Sequence, residues 1–310
     1  MATFTEISRF SEDDAREYLE RIRWPEGPVC PHCGSCGRSY VLNGSAHRPG
    51  LIKCGDCRKQ YTVTVGTVMH RSKIALKKWV MAFHLICASK KSVSALQLQR
   101  MLGLGSYRTA WHMAHRIRLA MREAPLADLL KGDVETDETY VGGKPRKPHK
   151  GQPKRKKGRH ADFKDRKTAV VALVERGGRV RATVRSDVTG ENLKQIVRSQ
   201  VDPSARLITD EYVGYQGLGA EFAGGHHTVT HSAGEYVRGD IHSNTIESYF
   251  SLLKRSIVGA YHNVSRQHLG RYCDEVCFRW NHRHVTDAER TAAAIRGADG
   301  KRLVYRPMEA

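Results

Sequence analysis

Residues 134–141 read VETDETYV, an alternation rich in β-branched side chains that predicts a strand and yet carries three acids, Glu135, Asp137 and Glu138. A carboxylate inside a strand costs desolvation energy unless a metal ion or hydrogen bonds compensate it. Neighbouring strand side chains point to opposite faces, so Asp137 and Glu138 cannot share one site, whereas Glu135 and Asp137 can, which makes Glu135 a candidate auxiliary. Outward from this stretch, strands are expected over 168–174 and 180–184, joined by a Gly177-Gly178 turn. Thr189-Gly190-Glu191 opens a helix carrying Leu193, Ile196 and Val197, after which 206–209 reads as a short strand ending at a second acid, Asp210. Strands, a crossover helix, another strand and then helices predict a mixed α/β layer architecture.

Residues 242–255, HSNTIESYFSLLKR, form an amphipathic helix with Ile246, Tyr249, Phe250 and Leu253 on one side. Asn244, Glu247, Ser251 and Lys254 make a separate polar stripe. Glu247 and Lys254 lie two helical turns apart, so one face can present a metal-binding carboxylate and a cation for a DNA phosphate. Two strand acids and a helix acid in a basic frame are a candidate set for divalent-metal chemistry, and the element order is compatible with an RNase H-like mixed sheet with flanking helices. The plainer alternative is a solvated helix face with ordinary surface acids.

Upstream, Cys30-Pro31-His32-Cys33 and Cys54-Gly55-Asp56-Cys57 are two C-x2-C knuckles at ribbon spacing. Each offers two thiolates to one tetrahedral zinc ion, a closed structural site, with Cys36 a bystander. Between the ribbon and the acid-bearing strand, an amphipathic helix is expected from Ile74. A helix-turn-helix pattern follows, with Ser92 or Ser94 and Ser106 as caps and Gly103-Leu104-Gly105 as the turn. Its second helix carries Arg108, His112, His115, Arg116 and Arg118, a face suited to DNA phosphates or base edges, with Arg108 and Arg116 the candidate contacts. The basic insertion 144–160 lacks apolar residues and cannot build a core, so Lys154, Arg155, Lys156 and Lys157 are candidates to grip phosphates.

A net charge of +20 over 310 residues makes nucleic acid the leading partner, and no apolar stretch is long enough to span a bilayer. The first residues show no secretory signal, so a cytoplasmic location, nucleoid-associated when bound to DNA, is expected, with the eight cysteines reduced.

The blocks Thr136–Lys144, Thr209-Asp210-Glu211 and His242–Arg255 closely resemble the insertion-sequence transposases of the ISXO type, a likeness that extends over the ribbon and to Phe278–Arg283. The resemblance implies a DDE triad of Asp137, Asp210 and Glu247 followed by the basic Lys254, with Asn244 a rival third ligand. It implies Mg2+ or Mn2+ at these acids and two-metal cleavage and strand transfer on double-stranded DNA, both element terminal repeats and target. Synapsis of two ends would require at least a dimer. The domains expected are 1–66, helix and zinc ribbon; 67–130, helix-turn-helix-like; 131–284, catalytic; and 285–310, a C-terminal tail. The alternatives are a zinc-ribbon and helix-turn-helix regulator without catalysis, an RNase H-like nuclease that cuts without joining, and a redox protein using its C-x2-C pairs.

Overall fold

The computed structural model describes residues 2–123, 128–142 and 167–304. The chain divides into two compact units, Met1–Glu123 with His282–Ala310, and Ala124–Asn281. The insertion at 144–160, including Lys154 to Lys157, lies outside the described residues.

In the first unit, α1 (Phe4–Arg9) and α2 (Glu12–Arg23) both begin with capping boxes, from Thr3 with Glu6 and from Ser11 with Asp14. The ribbon is a small antiparallel sheet, β1 (Ser39–Val41), β2 (Ile52–Cys54) and β3 (Gln60–Tyr61), paired in that order. Helix α3 (Leu76–Ala88) starts at Ala75, which has no side chain to cap it. The carboxylate of Glu12 takes over, accepting from the backbone N–H groups of Leu76 and Lys77. The expected helix-turn-helix pair is α4 (Ala95–Leu102), capped by Ser94, and α5 (Tyr107–Met121), capped by Ser106. Gly103 ends α4 in the left-handed region, φ 56°, where a side chain would be strained.

Two expectations change here. Residues 285–310 are not simply a tail: Asp287–Arg296 is a helix opened by a Thr286–Glu289 capping box. Its Arg290 donates to the carbonyls of Cys87 and His282, and its Ala292, Ala294 and Ile295 are buried. Its apolar stripe is mostly alanine, which gives a weak hydrophobic signal. The basic face assigned to α5 is also narrower than expected, because His115 and Arg118 are buried with Ala114 and Ile117. Arg108, His112 and Arg116, each one helical turn on from the last, remain as a stripe.

The second unit is built on a five-stranded mixed sheet of β4 (Asp133–Val141), β5 (Thr168–Glu175), β6 (Val180–Arg185), β7 (Arg206–Asp210) and β8 (His226–Val229), ordered β6-β5-β4-β7-β8. The first three strands pair antiparallel, while β7 runs parallel to both β4 and β8. This is the mixed α/β arrangement expected of an RNase H-like sheet. The crossover helix α6 (Gly190–Gln200) covers one face: Leu193, Ile196 and Val197 pack with Val134, Val171, Leu173 and Leu207. A short hairpin of β9 (Val237–Arg238) and β10 (Ile241–His242) leads into α7 (Asn244–Ser256), followed by α8 (Arg266–Asn281). These helices cover the other face, where Ile246, Tyr249, Leu253, Leu269 and Val276 pack on Val170, Ala172 and Val174. Because β5 is buried on both faces, it reads as an almost unbroken apolar run.

Candidate active site and metal centre

Strand alternation decides what faces what on β4. Val134 packs on the α6 side and Val141 on the α7 side, so Glu135 and Asp137 point towards α7 and Glu138 towards α6. On β7, Leu207 packs on the α6 side, so Asp210 points the other way, towards α7. The parallel register pairs Glu135 with Ile208, and carried two residues further it sets Asp137 beside Asp210. Glu247 stands in the first turn of α7. Strand middle, strand end and helix start thus bring the three acids towards one place.

Asp137 registers this crowding. Its carboxyl is pushed up to about 7, first by burial and then, against the Glu138 N–H it accepts from, by the charges of Asp210, Glu138 and Glu247. Glu138, on the opposite face, is raised by burial and by Asp210, while the Tyr215 hydroxyl donates to it at 2.7 Å. Tyr215 is itself fully buried and held protonated by burial and by these acids. Asp210 accepts from the backbone N–H of Tyr212, and Ser243 Oγ lies 3.5 Å from Glu247 Oε1 and 3.4 Å from His231 Nε2. Asn244 opens α7 and Lys254 lies exposed two turns beyond Glu247.

Glu135 takes a different part from the auxiliary ligand expected of it. It is completely buried, and both carboxylate oxygens are engaged. Oε1 accepts from Arg176 Nε at 2.7 Å and lies 3.4 Å from His242 Nδ1, while Oε2 accepts from the backbone N–H of Ile246 at 2.8 Å. Glu135 therefore ties β4 to the first turn of α7, the turn that carries Glu247. Arg176 continues the tie, donating to the carbonyls of Asp240 and His242 and to Asp133. Arg206 binds Asp133 with both ends of its guanidinium, at 2.7 and 2.6 Å, and also pairs with Asp240. The hydrogen bond from Arg206, with the charges of both arginines, holds Asp133 below the usual carboxylate range. The sequence offered no signal for Arg176, one of several arginines in the 175–185 hairpin. Tyr215, Glu138 and Ser243 were likewise not singled out as site residues.

The second cluster is sulfur. The ligand atoms of Cys30, Cys33, Cys54 and Cys57 all lie within 4.8 Å of one another. The Cys30–Cys57 and Cys33–Cys54 sulfur separations are 3.6 and 3.7 Å. Tetrahedral zinc with bonds of about 2.3 Å sets sulfurs about 3.8 Å apart, so the four thiols fit a structural zinc ion. Cys36 is exposed and lies outside the cluster, and His32 sits 3.4 Å from the Gln60 carbonyl. Among the described residues no other such group, the three acids included, closes to that spacing. Of the two basic residues expected on α5, Arg108 is exposed, whereas Arg116 donates to the carbonyls of His70 and Leu303. No helix of the described residues is long and apolar enough to cross a membrane.

Comparison with known proteins agrees with this layout. The profile of the ISXO2-like transposase domain matches residues 129–281, and that of a transposase zinc-ribbon domain matches residues 10–60. A Halobacterium salinarum protein, described as an uncharacterized protein in transposable element ISH50, is 30% identical over 267 residues, covering 84% of this chain and 88% of the relative. A chain in the cryoEM structure of a simian T-cell lymphotropic virus intasome in complex with PP2A regulatory subunit B56 gamma is 13% identical, with 62% of this chain and 66% of that one covered at a TM-score of 0.28. With its ribbon and its acid-bearing sheet both matched, the chain belongs to the ISXO2-like transposases.

Proposed function

We propose that this transposase binds the terminal repeats of an insertion sequence and carries out metal-dependent DNA strand cleavage and strand transfer, with Asp137, Asp210 and Glu247 as its metal-binding acids. The observation that carries the reading is the crowding of three carboxylates from β4, β7 and α7, close enough that Asp210 and Glu247 act on the charge of Asp137. Such mutual repulsion is costly in a half-buried site unless a cation offsets it. The donors are hard oxygens, which suits Mg2+ or Mn2+ and not the soft-ligand ion of the ribbon. When bound, such ions would polarise the phosphate and lower the pKa of the attacking water or 3′-hydroxyl.

The chain's own residues then divide the work. The two strand acids sit on a rigid sheet, and the Glu135–Arg176 tie holds α7 so that Glu247 approaches from the far side. Lys254, further along the same helix, serves a DNA phosphate, with Asn244 the alternative third ligand. Arg108 and the basic insertion at Lys154, Arg155, Lys156 and Lys157 supply sequence-independent attraction for the backbone. Holding two element ends at once calls for at least two copies of the chain.

The test is cleavage and strand transfer on a duplex carrying the repeats that flank the gene, with Mg2+, for wild type, Asp210→Asn and Glu247→Gln. Wild type is expected to cut and join while both variants bind DNA and do neither. Cutting without joining by wild type would make it a nuclease; binding without cutting would make it a regulator.

A further inference from the structure

The first unit contains a cavity of about 470 Å³ beside α5, of whose lining only Arg108 has been given a part so far. Five permanent cations line it, Arg71, Lys73, Arg108, Arg116 and Arg302, together with two histidines, and among the described lining residues none is acidic. The charges of these side chains act on one another. Arg116 is shifted down, first by burial and then by Arg302; His70 is shifted down by burial and then by Arg302, Arg71 and Arg116.

The floor is built. Arg116 is anchored by its bonds to the His70 and Leu303 carbonyls, and the buried Trp79 below it donates from its indole N–H to Ser72. At the rim, Arg71 stands at φ 55°, a left-handed conformation that a non-glycine residue adopts only at some cost. Arg71, Lys73 and Arg302 are exposed. A concave, cation-lined space of this volume matches a nucleotide-sized anion, and phosphate oxygens are the ligand that several converging guanidinium groups serve best.

We propose that this cavity is a phosphate site in which Arg71, Lys73, Arg108 and Arg302 receive a backbone phosphate of bound DNA. The inference rests on the reading of the chain as a DNA-handling transposase, and goes beyond it by placing the contact in an open, cation-lined hollow beside the helix instead of on the helix face alone. Such a contact sets the register of the duplex on the protein and carries no sequence information of its own. A free nucleotide offers the same chemistry, so the test includes both sources.

The experiment measures binding of the full, zinc-loaded chain to a short labelled duplex across roughly 50 to 200 mM salt. It compares wild type, Arg71→Gln with Arg302→Gln, Lys73→Gln alone, and a charge-matched control outside the cavity, Lys90→Gln with Lys91→Gln. The cavity double variant is expected to lose roughly tenfold or more in affinity near 0.1 M salt and to flatten the log-affinity against log-salt slope by about one. Lys73→Gln should move the same way by less, and the control should fall well short of the double variant. Equal losses in the control and the double variant, or no loss in either cavity variant, would overturn the proposal. A thermal shift by dAMP that the double variant abolishes, with duplex affinity untouched, would make this a free-nucleotide site and also overturn it. Cleavage by wild type in the presence of Mg2+ is scored separately, so failure of the cavity leaves the transposase reading standing, and failure of cleavage is visible with the cavity intact.

Discussion

The ribbon and the acid-bearing sheet both gather side chains of the kinds that ligate metals, and they do so in opposite ways. In the ribbon, four sulfur atoms lie within 4.8 Å of one another at separations tetrahedral zinc would set. In the sheet, Asp137 feels the charges of Asp210 and Glu247, and the three carboxylates do not close to that spacing. Two short knuckles bring the four sulfurs together, whereas a strand middle, a strand end and a helix start carry the three carboxylates. Four cysteines complete a tetrahedral shell and leave no position for a substrate, whereas the proposed cleavage and strand transfer need acids that leave positions open for DNA oxygens.

The largest effect that would sharpen this comparison is on the ribbon. Cys54→Ser, or zinc chelation, should remove folding free energy on the order of 10 kcal/mol from the ribbon. Hydrogen exchange should then show protection lost across β1, β2 and β3 and retained across β4 to β8. Equal loss in both regions would break the distinction. Asp210→Asn should do the reverse, lowering strand cleavage by at least about 10³-fold, as loss of a main electrostatic stabiliser does, while the melting temperature stays within a few degrees. A large fall in stability would show that the acid serves the fold.

Glu135→Gln occupies the middle ground. It leaves Arg176, half-buried and still paired with Asp133, beside a neutral amide and should cost about 2 kcal/mol in chemical denaturation. Cleavage should fall further than that loss explains, because α7 and Glu247 are held through this residue. Unaltered cleavage in folded protein would remove Glu135 from any positioning role. The smallest effect concerns Asp133. Its folded pKa is depressed, so its contribution is present at neutral pH and is lost as pH falls through that lowered value. Asp133→Asn should therefore flatten the acid limb of the stability profile, by about 1 kcal/mol after allowing for its partial exposure. An unchanged acid limb would mean that the Arg206 pair contributes nothing measurable.

Much of this was legible from local signals. The VETDETYV strand, the knuckles and the polar stripe through Glu247 and Lys254 are patterns within one turn or one strand, and the structure forms each of these elements. What could not be read was non-local or chemically muted. The strand alternation makes Glu135 a candidate auxiliary on the face of Asp137, but its partners Arg176 and Ile246 lie 41 and 111 residues away. The edge strand His226–Val229 gives no strand signal, because its histidines and threonine show no apolar alternation, although His226 is bonded to Thr209 on the neighbouring strand. The Asp287–Arg296 helix hid behind small alanines, and the cavity beside α5 unites residues from 70 to 304 that no periodicity connects.

The most direct test of the central contrast is anomalous scattering from crystals of the zinc-loaded protein soaked in Mn2+, for wild type and Asp210→Asn. Zinc is expected at the four cysteines in both, with manganese among Asp137, Asp210 and Glu247 in wild type and much reduced in the variant. Manganese absent from these acids in wild type, or equally present without the Asp210 carboxylate, would contradict it.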